Sequence, residues 1–371
     1  MRSSMRTMNP LRPLVMLSAI ITCAGLLISC APITVMEAPV SSLDEISQEV
    51  ECIFATLDSH IADINDLRFS SDGLTLVSAS EDNTIRLWDT VTGLEMSASP
   101  IQTTPATPRF ITFTSPDTLA YVGYGQVIYT WSISSNEQVA APIGVATSIG
   151  SGYLSTADFS IDGQMFFTGV DGSGEVHLWD IQSESALDHS PLVLDFDTIN
   201  AAALSPDNRI LAVGGVGGLI RLLDIETGSE ISNSPINHAD TFQLAFSLPD
   251  GHILAVGDPG TELRLWNITT GDELSISPLN IPEGGGVNFG SFAFHPEGEL
   301  LATGGVPGKI YLWDLDSGAV VNSFSDEDSS WVKLLAFSPD GTLLASGHRD
   351  NSIRLWNTEK CITAKDKNAL N

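Results

Sequence analysis

Basic side chains are scarce in this sequence. Sixteen Lys and Arg stand against 46 Asp and Glu, a formal net charge of −30. Three of the arginines, Arg2, Arg6 and Arg12, fall within the first 29 residues, which hold no acid. Beyond them 13 basic residues face 46 acidic ones. A surface of that sign repels phosphate backbones and anionic headgroups, which argues against nucleic acid as a partner. Cysteine is scarcer still, with four residues at 23, 30, 52 and 361. None forms a C-x-x-C, and neither G-x-S-x-G nor H-E-x-x-H occurs, so the commonest hydrolase and metalloprotease signatures are missing. The seven histidines show no pair at metal-ligand spacing. Gly304-Gly305-Val306-Pro307-Gly308-Lys309-Ile310 imitates a phosphate loop, but its first glycine is misplaced by one and Ile follows the lysine. Gly284–Gly290 lacks the strand–helix context of a dinucleotide site, and Asp171–Glu175 lacks the calcium-loop pattern. The reading is of a chain with no catalytic residue, no metal and no cofactor. Also missing, beyond residue 50, is any sustained helical period.

What is present begins with an address. A basic head (1–13) precedes an almost wholly apolar run, LVMLSAIITCAGLLIS at 14–29. This reads as a secretory signal, with an uncleaved anchor as the alternative. Leu27-Ile28-Ser29-Cys30 resembles the lipobox of bacterial lipoproteins: aliphatic at −3, small at −1, then cysteine. The resemblance implies a signal peptide over 1–29 and lipidation (palmitate) of Cys30 as the first mature residue. Residues 30–50 mix Pro, Ser and acids without period and read as a flexible tether. The expected location is extracytoplasmic and membrane-anchored. Ala31 rather than Asp follows the cysteine, and the cell membrane and the outer membrane both stay open.

The remainder repeats itself. NTIRLWD at 83–89 returns as NSIRLWN at 351–357. Aligned tripeptides place Trp88, Trp131, Trp179, Leu223, Trp266, Trp313 and Trp356 at spacings of 43, 48, 44, 43, 47 and 43. A second marker keeps step: FSSDG at 69–73, FTSPD at 113–117, FSIDG at 159–163, LSPDN at 204–208, FSLPDG at 246–251, FHPEG at 294–298 and FSPDG at 337–341. Two markers with one period signal a repeat fold. Short β-branched or Leu-rich runs ending at Gly or Ser, with Asp-Gly turns, are strand and hairpin signals. In Ile85-Arg86-Leu87-Trp88 the period of two puts Ile85 and Leu87 on one face and Arg86 and Trp88 on the other.

With seven units of four short strands, residues 51–361 resemble the WD40 family. The expectation is an all-β, seven-bladed WD40-like β-propeller of four-stranded antiparallel blades, monomeric, with 362–371 as a loose C-terminal tail. The resemblance assigns His60, Ser78, Asp82 and Trp88 to the hydrogen-bonded tetrad that ties a blade together. Unit seven keeps Ser346, Asp350 and Trp356 but has Asp328 at the histidine position, unit five has Gly260 for the aspartate, and unit four has Leu223 for the tryptophan. The middle blades should therefore rest on apolar packing. The repeated Arg86, Arg221, Arg264 and Arg354 lie around a circumference, so a structural role is expected of them rather than a shared anion site. Members of the family close the ring by giving the last blade an N-terminal outer strand, and residues 51–57 suit that part beside Trp356. Units one, four, five and six carry Gly93, Gly228, Gly271 and Gly318 five residues after the tryptophan position, where unit seven carries Cys361. That register brings Cys52 and Cys361 together and predicts a disulfide in an oxidising compartment.

The resemblance implies a non-enzymatic scaffold for protein–protein interaction, binding a protein or peptide through the loops on one rim. Glu81, Asp258 and Arg349 are the candidate contacts, among loops at 61–63, 81–83, 171–174, 258–261 and 349–351. The acidity favours a basic partner. The rival is a propeller enzyme or a small-ligand or metal-binding lipoprotein using the axial mouth, for which His348 and Asp258 are the nearest uncommitted side chains.

Overall fold

The computed structural model describes residues 52–366 except 105, 125–126, 145–153, 171, 197, 235, 238–240, 242, 258–261, 281–288, 306–307 and 326–329. The signal segment, Cys30 and the whole tether, Asp258, Gly260 and Asp328 lie outside the described residues.

Seven antiparallel sheets follow one another along the chain, each a four-stranded blade. In blade one the strands are Ile64–Phe69, Thr75–Ser80, Thr84–Asp89 and an outer strand in two halves, Leu94–Glu95 and Ile101–Gln102. The two halves flank a detour in which the Leu87 N–H donates to the Ser99 hydroxyl (3.2 Å) while the Met96 N–H donates to the Leu87 carbonyl (2.8 Å). A serine thus occupies a ladder position that the backbone leaves vacant. Ser190, Ser234 and Ser277 repeat the contact in blades three to five.

The turn marker has an equally local cause. In FSPDG the Ser338 hydroxyl donates to Asp340 (2.6 Å) and accepts the Leu343 N–H (2.9 Å), pinning the hairpin. Gly341 then takes φ +71°, and a Cβ there would meet the His295 ring. Ser70, Ser160 and Ser205 build the same turn with Asp72, Asp162 and Asp207.

The core lies between blades rather than within them, because each sheet has two apolar faces and only a neighbour can cover each. Ile85 and Leu87 face Ile111, Phe113 and Leu119 of blade two. Trp88 packs the other way, on Leu57, Ile353 and Leu355 of blade seven.

The ring closes as the repeat register requires. Strand Ile53–Leu57 pairs antiparallel with Ile353–Asn357, completing blade seven in the order outer strand, 353–357, 343–348, 332–337. Cys52 and Cys361 are disulfide-bonded, with Cα atoms 5.1 Å apart, and both are buried. The end of the chain differs from the expected loose tail: a helix spans Thr358–Asp366. In the other blades the residue four places past the Asp, Asn or Ser that follows the tryptophan position takes a left-handed conformation, at Gly93, Gly228, Gly271 and Gly318 (φ +67° to +77°) and at Asn136 and Glu184 (φ +54°), and reverses the chain. Cys361 does not take that conformation, and the turn continues as helix. Asn357 caps it, accepting the Lys360 N–H at 2.9 Å, and the Asn322 side-chain amide bonds the Cys361 carbonyl. Cys361 therefore meets Cys52 from a helix and not from an outer-strand register.

Candidate interaction surface

The blade-one tetrad is complete. The Trp88 indole N–H donates to Ser78 Oγ (2.9 Å), Ser78 Oγ lies 2.7 Å from His60 Nε2, and His60 Nδ1 lies 2.8 Å from Asp82 Oδ2. Because a carboxylate only accepts, the proton sits on Nδ1 and Nε2 of the neutral ring accepts the serine hydroxyl. Burial lowers the His60 pKa despite the opposing pull of Asp82, which favours this neutral form. Asp82 also accepts the Ile61 N–H (3.2 Å) and the Thr84 hydroxyl (2.5 Å), tying the upper loop to the blade.

Blade seven reaches the same end by a different residue. The Trp356 N–H donates to Ser346 Oγ (2.7 Å), and Ser346 Oγ bonds His348 Nε2 (2.7 Å), whose Nδ1 meets the Ser330 carbonyl (3.0 Å). The histidine comes from the strand beside the tryptophan, two residues after the serine, not from the preceding loop. His348 is 1% exposed and committed. This corrects its reading as an uncommitted group at the axial mouth. Asp350 is drawn away to Arg354 (3.0 Å) and Ser352 (2.5 Å), which hold its carboxyl well below the usual range against the cost of burial. Blade six has a shorter relay, Trp313 to Thr303 at 2.9 Å. The indole N–H groups of Trp131, Trp179 and Trp266 are buried without a partner among the described residues, so blades two, three and five hold their tryptophans by packing.

The repeated arginines are each matched within their own blade: Arg86 with Glu95 (2.7 Å), Arg221 with Glu230, Arg264 with Glu273 (3.0 Å) and Arg354 with Asp350. In the first three the glutamate also accepts from the ladder serine four residues on, Ser99, Ser234 or Ser277. The sequence carried this signal as Glu-x-x-x-Ser-Pro at 95–100, 230–235 and 273–278. Blade three, which has Ala186 in place of the glutamate, has His177 in place of the arginine.

Inner strands ring an axial cavity of about 330 Å³, lined by Asn65, Asp66, Arg68, Asp158, Asn200 and Gln243 among others. Arg68 of blade one reaches across to Asp158 of blade three and lies 3.5 Å from Asp66. Burial pushes the Asp66 carboxyl up to about 6 although Arg68 and the N–H groups of Ile111 (2.9 Å) and Leu67 (2.8 Å) pull it down. A folded-state pKa above the ordinary 3.8 means that the native state binds the extra proton. The Asp66 contribution is therefore full at pH values below about 4 and lost as pH rises through about 6. Asp66→Asn, which imitates the protonated form, should cost most stability near the acid end of that window and progressively less by pH 8. Denaturant unfolding of both proteins across the range measures it, and a constant difference refutes it.

At the upper end, where inner strands begin, their second residue is an extra, bulged one. The register shifts across Asn65, Arg109, Asn200 and Lys333 in blades one, two, four and seven. Three consecutive blades (seven, one and two) thereby bring Lys333, Asn65 and Arg109 side by side around the mouth. Lys333 bonds Asp63 (2.9 Å), joining blade seven to blade one. Asn65 donates to Glu81 (3.0 Å) and to the Pro108 carbonyl (2.9 Å), and the Tyr124 hydroxyl donates to Glu81 (2.8 Å), joining blade one to blade two. Glu81 is thus an interblade acceptor. The Arg109 guanidinium lies 4.9 Å from the Tyr124 ring centre, and that of Arg349 5.5 Å from Trp331. Ile61 and Tyr124 are 84% and 61% exposed. Of the three candidate contacts, Arg349 and Glu81 fall in this sector. Arg109, Lys333 and Tyr124 escaped a reading confined to loops, since the first two lie inside strands, and they make the rim here more cationic than net charge suggests.

Comparison with known proteins agrees with this geometry. Residues 51–89, 283–314 and 318–357 match the family described as WD domain, G-beta repeat. A serine-threonine kinase receptor-associated protein of Dictyostelium discoideum is 25% identical over 218 residues, covering 49% of this chain and 73% of that protein. A guanine nucleotide-binding protein subunit beta of the same organism is 28% identical over 166 residues, covering 43% of this chain and 44% of that protein. The matched repeats fall at the two blades that meet at the closing seam and at blade six beside them. By fold the chain is a seven-bladed β-propeller, and three of its segments match the WD domain, G-beta repeat family.

Proposed function

We propose that this protein is a non-catalytic interaction scaffold, held at a membrane outside the cytoplasm by lipid on Cys30, that binds a protein or peptide partner through its upper rim. The observation that carries the reading is the rim of blades seven, one and two. There exposed apolar and cationic side chains sit on strand ends locked by interblade hydrogen bonds, so a partner would meet a preformed surface and order little on binding. The names of the similar Dictyostelium proteins, one receptor-associated and one a subunit, are consistent with association as the common task. Two features support the location: the Leu27–Cys30 motif after an apolar run, and a buried disulfide of the kind that persists in oxidising compartments.

The test places a photo-crosslinking residue at Ile61 on the upper rim or at Ile161 in an exposed turn of the lower face, in cells. A recurrent protein adduct is expected from position 61 and not from 161. Equal labelling from both, or none from 61, refutes the rim. In the same cells Cys30→Ser should release the protein from membranes without detergent, and its retention would refute the lipid anchor.

A further inference from the structure

Thirteen basic residues lie beyond residue 29, and five of them are matched by carboxylates in the blades or the channel: Arg68, Arg86, Arg221, Arg264 and Arg354. Three others converge on the rim of adjacent blades. Lys333 is bonded to Asp63. Among the described residues, neither Arg109 nor Arg349 has a carboxylate partner, although acids outnumber bases more than three to one beyond residue 29. Each guanidinium instead lies over an aromatic ring. Such stacking holds the planar group by its face and leaves the edge, with its fork of N–H donors, for a planar anion. A carboxylate fits that fork with two parallel hydrogen bonds. On the blade between the two arginines stands Ile61, the most exposed large apolar side chain among the described residues.

We propose that this sector binds an acidic peptide segment of the partner, its carboxylates on Arg109 and Arg349 and an apolar side chain against Ile61. The inference rests on the scaffold reading and makes it more specific. It reverses the partner charge expected from composition: overall acidity attracts cations everywhere on the surface, whereas this sector selects an anion locally. Long-range repulsion by the body would slow encounter at low salt, so added salt should weaken this complex less than an ordinary charge-driven one.

The full-length protein in neutral detergent is titrated with three fluorescent peptides of one length. One alternates Asp and Glu around a central Leu, one replaces the acids by Asn and Gln, and one replaces them by Lys. The acidic peptide should bind and the amide peptide should not. Arg109→Glu and Arg349→Glu should each weaken binding by about tenfold, the loss of one charge-assisted contact. Arg209→Glu makes the same change of charge in an exposed turn at the opposite face and should leave binding unaltered. Preference for the lysine peptide, no binding of the acidic one, or equal weakening by Arg209→Glu overturns the proposal. Binding of anionic vesicles at this sector in place of peptide also overturns it. A partner that still crosslinks at Ile61 in both arginine variants overturns the acidic segment and leaves the scaffold standing. Absence of any crosslinked partner while the acidic peptide binds refutes the scaffold reading instead.

Discussion

Cys361→Ser should unfold at a markedly lower temperature than the oxidised wild type, and reduction should bring the wild type down to the same midpoint. The bond spans 309 residues, almost the whole propeller. In the chain-entropy account a loop of that length is worth at most about 5 kcal/mol, which for a body of this size is roughly 10 °C. The structural reason for a large effect is where the bond lies. The strand Ile53–Leu57 is five residues long and is joined to blade seven by the 353–357 ladder, while the helix at 358–366 packs beside the outer strand of blade six. Without the bond these two ends of the chain can separate independently, and either departure uncovers Trp356 and Leu355. With it, neither can leave alone. Cys52→Ser should match Cys361→Ser, and the double variant should be no worse than either, because one bond is lost in each case. Calorimetry of the three variants with and without reductant decides the matter. Equal midpoints for oxidised and reduced wild type would show that the ladder alone closes the ring.

The second large effect concerns the relay in blade seven. Ser346→Ala deletes one hydroxyl but removes a partner from two buried groups, the Trp356 N–H and Nε2 of His348. Leaving buried polar groups without partners costs about 1–3 kcal/mol each, so a loss of about 3 kcal/mol is expected by denaturant unfolding. A paired comparison isolates the hydrogen bond from packing. Trp356→Phe and Trp179→Phe remove the same atoms from two buried sites, but only Trp356 donates to a partner. The first should cost clearly more than the second. Equal costs would mean that the relay contributes nothing beyond shape.

The number of blades, the face each residue turns to, the closing strand and the pairing of Cys52 with Cys361 were legible in the chain. The first two follow from period, since a repeat near 45 residues counts the sheets and a period of two sorts the faces. The closing strand, and with it the cysteine pairing, was implied by the resemblance to the WD40 family. The helix at 358–366 was not legible in this way, since Cys361 was read only as a bonding partner of Cys52. The Glu-x-x-x-Ser-Pro repeat was also present in the chain but went unread, and the partners of Arg86, Arg221 and Arg264 came from the structure.

Other features had no local signal. His348 replaces a histidine expected some twenty residues earlier, because a side chain two residues further along the serine's own strand reaches the same hydroxyl. Arg68 finds Asp158 across the axis, 90 residues away and two blades on. The bulges that line up Lys333, Asn65 and Arg109 on three blades are a product of strand pairing, invisible to a reading that looked for function in loops. Local chemistry and period determine which residues form a blade and how many blades there are. Closing the ring decides which side chains from distant repeats become neighbours, since only the closed circle places blade seven beside blade one.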